Sequence, residues 1–152
     1  MAVDQSVIGT ELSPTRLVVD AGRLRFFAKS IGETNPIFTD LNAAQAAGYP
    51  TLPVPPTFLL AIELDRPDPF DWVSDLGIDL RHVLHGEQRF AYRSQAYAGD
   101  ELIAKPKIAD VYTKKGGALE FVVKDTSVVR PDGEIVADLK SVLVVRHPEV
   151  QQ

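Results

Sequence analysis

The stretch PVPPTFLLAIELD, residues 53–65, decides how the rest of the chain is read. Prolines 53, 55 and 56 hold the backbone extended, and Pro56 suits the first turn of a helix, where a missing N–H costs nothing. From Phe58 to Leu64 the residues are apolar almost all round. A helix of that kind is buried, wrapped on most sides by other structure.

What wraps it lies on its C-terminal side. Between His85 and Tyr97, Phe90 and Tyr92 share one strand face while Arg89 and Arg93 share the other. ELIAKPKIADVYT (101–113), ALEFVVKDTSVVR (118–130) and EIVADLKSVLVVR (134–146) also alternate with period two. In the second of these, Leu119, Phe121, Val123 and Val129 face one way, and Glu120, Lys124 and Arg130 the other. KKGG (114–117) and RPDGE (130–134) carry hairpin turn chemistry. Long strands joined by tight hairpins form an antiparallel meander, and a meander has one face to cover. The expected architecture is α+β, a curved antiparallel sheet wrapped around a central apolar helix, Pro56 to Leu64. No repeat or linker divides residues 1–152, so a single domain is expected.

The N-terminal side is punctuated and helical. DAGRLRFFAKSIG (20–32) opens on Asp20 as N-cap, repeats apolar residues at Leu24, Phe27 and Ile31, and stops at Gly32. TDLNAAQAAGYP (39–50) reads as a short helix capped by Thr39 or Asp40 and closed by Gly48 and Pro50. Between the two runs SIGETNPIFTD (30–40), a polar turn with one carboxylate, Glu33.

Composition excludes several classes. With no cysteine there is no disulfide or thiolate chemistry. A net charge of −5 argues against nucleic acid as a partner, which needs a basic face. No apolar run approaches the roughly 18 residues of a membrane helix, and no leader pattern precedes the first helix, so a cytoplasmic location is expected. His82, His85 and His147 do not make a metal-ligand spacing, and neither metal nor cofactor is expected. His82 and His147 read as surface residues.

Four segments in order carry a resemblance. GETNPIFTD (32–40) with AAQAAGYPTLPVPPTF (43–58), LHGEQRFAYR (84–93) and AGDEL (98–102) together resemble the MaoC-like dehydratases, in particular the FAS1-like or MaoC N-terminal dehydratase domain branch. The resemblance implies a hot-dog fold and acyl thioesters on CoA or acyl carrier protein as ligands. It also implies reversible hydration of a trans-2-enoyl thioester, equivalently dehydration of an (R)-3-hydroxyacyl thioester. Catalytic members carry Asp and His in a D-x-N-P-x-H segment. Here Asn35 and Pro36 match, but Glu33 stands at the Asp position and Phe38 at the His position. Hydration needs a base for the water and an acid for the α-carbon, and phenylalanine supplies neither.

The resemblance therefore implies a substrate-binding subunit that works beside a catalytic MaoC-type partner, in a homodimer or heterodimer. On that reading Asn35 shapes the turn and Phe38 lines the acyl tunnel. The N–H groups of Thr57 and Phe58, beginning the helix behind Pro56, receive the thioester carbonyl. Two alternatives remain open. Glu33 and His85 could form a rebuilt hydratase pair, neutral imidazole being a good base near pH 7. Alternatively Glu33 or Glu63 could activate water for thioester hydrolysis. Arg89, Arg93, Lys105, Lys107, Lys114 and Lys115 are candidate partners for CoA phosphates, without individual assignment.

Overall fold

Five strands make one antiparallel sheet in the computed structural model, which describes residues 2–150. They are β1 (Thr15–Val18), β2 (Val83–Tyr92), β3 (Glu101–Lys114), β4 (Leu119–Val129) and β5 (Ile135–Arg146), in the spatial order β1-β3-β4-β5-β2. The two hairpins read from the sequence join β3 to β4 and β4 to β5. Register shifts between Ile108 and Asp110, between His85 and Glu87, and between Val128 and Val129 are bulges that add local twist and curl the sheet. The bulge in β2 requires glycine, since a Cβ on Gly86 would come within 2.6 Å of Val144 Cγ2.

The helices form where capping chemistry permits them. In α1 (Ala21–Ser30) the Asp20 carboxylate accepts the Arg23 N–H at 3.0 Å. In α2 (Leu41–Ala46) the cap is Asp40 rather than Thr39, accepting the Ala43 N–H at 3.0 Å. The central segment starts as a 3-10 turn, Pro56–Leu60, and continues as α3 (Ala61–Leu64). It lies in the concavity of the sheet with Phe58, Leu59 and Ile62 buried. A further short helix, α4 (Asp71–Asp75), brings Trp72 and Val73 into the same concavity. The arrangement is that of a hot-dog fold.

The period-two alternation of β4 is present, but the face turned to the helices is the one that carries the charges. Glu120, Val122, Lys124, Thr126 and Val128 are all buried, Glu120 at 1% and Lys124 at 9% exposure. Leu119, Phe121, Val123 and Val129 lie on the other side, where Phe121 stacks on Tyr112 with ring centres 4.8 Å apart. Charges are tolerated inside because each has a partner. Glu120 accepts the Val3 N–H at 2.7 Å and pairs with His147 Nε2 at 3.0 Å. His147 is thus a nearly enclosed partner, its side chain 12% exposed, and not the surface residue expected from the sequence. Ile31 departs in the opposite sense. It is 53% exposed because α1 ends at Ser30 and Ile31 already turns outward as the C-cap.

Glu120 thereby fastens residues near both ends of the chain to the middle of the sheet. A Glu120→Ala variant leaves the Val3 N–H and the His147 ring without their buried acceptor and is expected to lose about 1–3 kcal/mol. Urea denaturation measures the loss, and limited proteolysis should cut first near the two termini.

Candidate functional site: the 30–40 turn, the helix start and a polar row

The turn after α1 is built by its own hydrogen bonds. Gly32, at φ +71°, closes α1 in a Schellman arrangement, with Gly32 N–H donating to Lys29 O at 3.2 Å and Glu33 N–H to Ala28 O at 2.9 Å. Glu33 Oε1 then accepts the Asn35 N–H at 2.8 Å. Asn35 Oδ1 in turn accepts the Ile37 N–H at 3.2 Å and caps the 3-10 turn Pro36–Phe38. Glu33 and Phe38 are half-buried and Asn35 is exposed. The carboxylate is held by the backbone it shapes, and among the described residues it has no charged partner. A Cβ at Gly32 would touch nothing, so Gly32→Ala tests backbone strain alone. The variant is expected to cost about 1–2 kcal/mol in a thermal or urea melt.

At the helix start the donors are fewer than the sequence suggested. Phe58 N–H donates to Pro55 O at 3.0 Å within its own turn. Among the described residues Thr57 N–H has no hydrogen-bond partner, and Thr57 is exposed beside buried Phe58. Two clefts flank this point. One, about 370 Å³, is walled by Val54, Pro56, Leu59, Tyr92 and Gln95. Partial burial there raises the Tyr92 phenol above its ordinary pKa. The other, about 400 Å³, runs between α1 and Phe58, whose ring meets Phe27 edge-on at 5.4 Å and carries the Arg23 guanidinium 5.9 Å from its centre.

His85 sits elsewhere, on the concave side of β2, with Nε2 3.0 Å from Glu87 O. It shares a cavity of about 170 Å³ with Glu63, Trp72, Lys124 and Ser141. Glu33 is not in that wall, and no hydrogen bond joins Glu33 to His85. The turn residues Glu33, Asn35 and Phe38 are thus brought together, Pro56, Thr57 and Phe58 form a second group, and His85 belongs to a third.

The third group adds to His85 and Glu63, both named from the sequence, four residues that sequence reasoning missed: Gln88, Lys124, Thr126 and Ser141. Gln88, Ser141 and Lys124 are register partners on β2, β5 and β4. Ser141 Oγ donates to Gln88 Oε1 at 2.6 Å. From the helix above, Glu63 Oε1 meets Lys124 Nζ at 3.0 Å and the Thr126 hydroxyl at 3.0 Å. Lys124 Nζ also stands 4.9 Å from the centre of the Trp72 ring, a cation–π contact. This polar row crosses the concave face between two apolar clusters, one around Phe58, Ile62 and Leu102, the other around Trp72, Ile108 and Val122. The available signal was Glu63, flanked by Ile62 and Leu64 in an otherwise apolar run, and a lone lysine in FVVKDTSVV.

Residues 6–139 match the model of the FAS1-like dehydratase domain region. The chain belongs to that family. The FAS1-like domain is also 35% identical over 147 residues to a UPF0336 protein of Saccharopolyspora erythraea, covering 96% of this chain and 93% of the relative. Its fold matches a chain of the C-terminally truncated HadBC (3R-hydroxyacyl-ACP dehydratase) complex of Mycobacterium tuberculosis, with TM-score 0.76 and 27% identity over 95% of this chain and 99% of that one. The ChsH1–ChsH2 complex from the same organism matches in fold at TM-score 0.72 and 24% identity, over 91% and 85% of the two chains. The hot-dog architecture and the dehydratase family expected from the four segments are therefore both found. Among the described residues no helix is long and apolar enough to cross a membrane.

Proposed function

We propose that this chain is the acyl-thioester-binding subunit of an (R)-3-hydroxyacyl thioester dehydratase, with Asp and His supplied by a catalytic MaoC-type partner. The observation that carries the reading is Phe38. The turn keeps its Asn35 cap and its Glu33 brace, yet the position of the family's histidine is apolar. Two further features support it. The similar HadBC chain comes from a dehydratase complex. In addition, β2 is an edge strand that pairs, among the described residues, with β5 alone, which leaves a row of backbone groups open to a partner's strand.

The test is enoyl-CoA hydration by the purified chain, followed by ultraviolet absorbance, beside acyl-CoA binding by calorimetry. Binding without turnover is the expected result, with turnover appearing once a catalytic MaoC-type subunit is added. Turnover by the chain alone, abolished in both Glu33→Ala and His85→Ala, would overturn the proposal in favour of a rebuilt site. Release of free thiol would point instead to thioester hydrolysis. A folded Thr57→Pro variant removes the open N–H at the helix start and is expected to weaken acyl-CoA binding up to about tenfold, the worth of one hydrogen bond.

A further inference from the structure

The outer face of the sheet, turned away from the helices, carries its charges in register. Lys107, Asp125, Lys140 and Arg89 form one row across four strands, and Lys105, Ser127, Asp138 and Ala91 form the next. Their chain neighbours Lys124, Thr126 and Leu139 point inward. The second row is mostly short, so the longer side chains stand round a trough of about 580 Å³. That volume suits a small molecule and exceeds either cleft beside the helix start.

The trough is a positive place on a negative chain. Four cations and two carboxylates line it, although the net charge of the whole is −5. Both carboxylates are already answered, Asp125 by Lys140 at 2.6 Å and Asp138 by Arg93 at 3.2 Å. Arg89 is held by Glu87 at 2.6 Å. Among the described residues Lys105 and Lys107 have no ion-pair partner, and Glu11, which bridges to Lys107 through the backbone, pairs with neither. The Ser127 hydroxyl, opposite Lys105 in register, is likewise without a hydrogen bond among the described residues. Two ammonium groups based about 7 Å apart on one strand, with a hydroxyl beside them, call for an anion with several oxygens. Phosphate meets that demand, since it accepts from ammonium and hydroxyl at once.

The neighbouring cleft says which phosphate. Arg93 lines the cleft beside the helix start and also holds Asp138 in the trough, so the two hollows adjoin at this pair. A single long ligand can occupy both. We propose that the trough holds the phosphates of a nucleotide, the 3′-phosphorylated adenosine diphosphate end of coenzyme A. Resting on the acyl-thioester reading above, the thioester lies at the helix start and the pantetheine arm rounds the end of β2 at Arg93. Lys105 and Lys107 are the phosphate ligands, and the acyl carrier is CoA rather than a protein. Lys114 and Lys115, at the far end of β3, take no part.

Butyryl-CoA and butyryl-pantetheine share the thioester and the arm and differ in the phosphates. Titrated against the whole chain by calorimetry, the CoA thioester is expected to bind roughly tenfold tighter, with the gap narrowing as salt is raised. A Lys105→Gln/Lys107→Gln double variant should lose the preference. A Lys114→Gln/Lys115→Gln variant, with the same change of net charge, should keep it. Equal binding of the two thioesters by the unaltered chain overturns the proposal without reliance on any variant, as does equal loss in both double variants. An acyl-carrier-protein thioester that binds tighter than butyryl-CoA, with the same need for Lys105 and Lys107, overturns the nucleotide assignment in favour of an acidic carrier surface. Absence of binding by every thioester overturns the acyl-binding reading itself. Adenosine 3′,5′-bisphosphate alone then decides the trough: binding that requires Lys105 and Lys107 upholds it as a nucleotide site, and no binding overturns that too.

Discussion

A Glu33→Asp/Phe38→His double variant is expected to hydrate enoyl-CoA at least about a hundredfold faster than the unaltered chain. General acid–base catalysis by a positioned side chain contributes about 10²–10⁴-fold, and Phe38 is where the family's pattern has histidine. The turn should survive the exchange. Glu33 now reaches forward to accept the Asn35 N–H, and aspartate makes that two-residue reach more readily than glutamate. The extra methylene of glutamate displaces the charge by about 1 Å, an error that alone can cost about a hundredfold. For this reason the single Phe38→His variant should gain less than the double. Initial rates with crotonyl-CoA and a longer enoyl-CoA decide the matter. A folded double variant with no gain would mean that the turn does not present these two positions to a bound thioester.

The second large effect concerns stability. Lys124→Met leaves the Glu63 carboxylate buried without its cation and is expected to cost about 3–5 kcal/mol. Both side chains are well enclosed, at 8% and 11% exposure, so solvent offers little screening. Glu63→Leu combined with Lys124→Met removes both charges together, and replacements of that sort are neutral or stabilising in comparable buried pairs. Urea denaturation of the two single variants and the double variant therefore has a distinctive pattern, in which the double is more stable than Lys124→Met alone. Additive losses would show that the two side chains are independent.

Much of the fold was legible because it is written locally. Caps at Asp20 and Asp40, the Gly32 stop and the two hairpins are each set by a few neighbouring residues, and all are found where those residues put them. What was not legible depends on distant partners. Glu120 and Lys124 mark an outward strand face by themselves; only Val3, His147 and Glu63, supplied by other parts of the chain, make that face the inner one. The four residues of β1 are too short for an alternating pattern to stand out, and their strand character comes from pairing with β3. The candidate site divides in the same way. The Asn35 turn could be read from its residues, whereas the polar row could not, since its members come from α3, β2, β4 and β5.

If the proposed pairing runs along the open edge of β2, that edge bears on how the two halves of such a pair diversify. Backbone hydrogen bonds along a strand edge are the same for every sequence, so they cannot tell a second copy of the chain from a different one. Discrimination falls to the side chains that alternate along that edge, Leu84, Glu87 and Arg89 toward one face and His85, Gln88 and Phe90 toward the other. After a gene duplication, a handful of substitutions on this single strand is enough to turn a self-pairing chain into one half of an obligate couple. Each copy is then free to lose what the other retains, and a phenylalanine can settle in a histidine's place without loss to the pair.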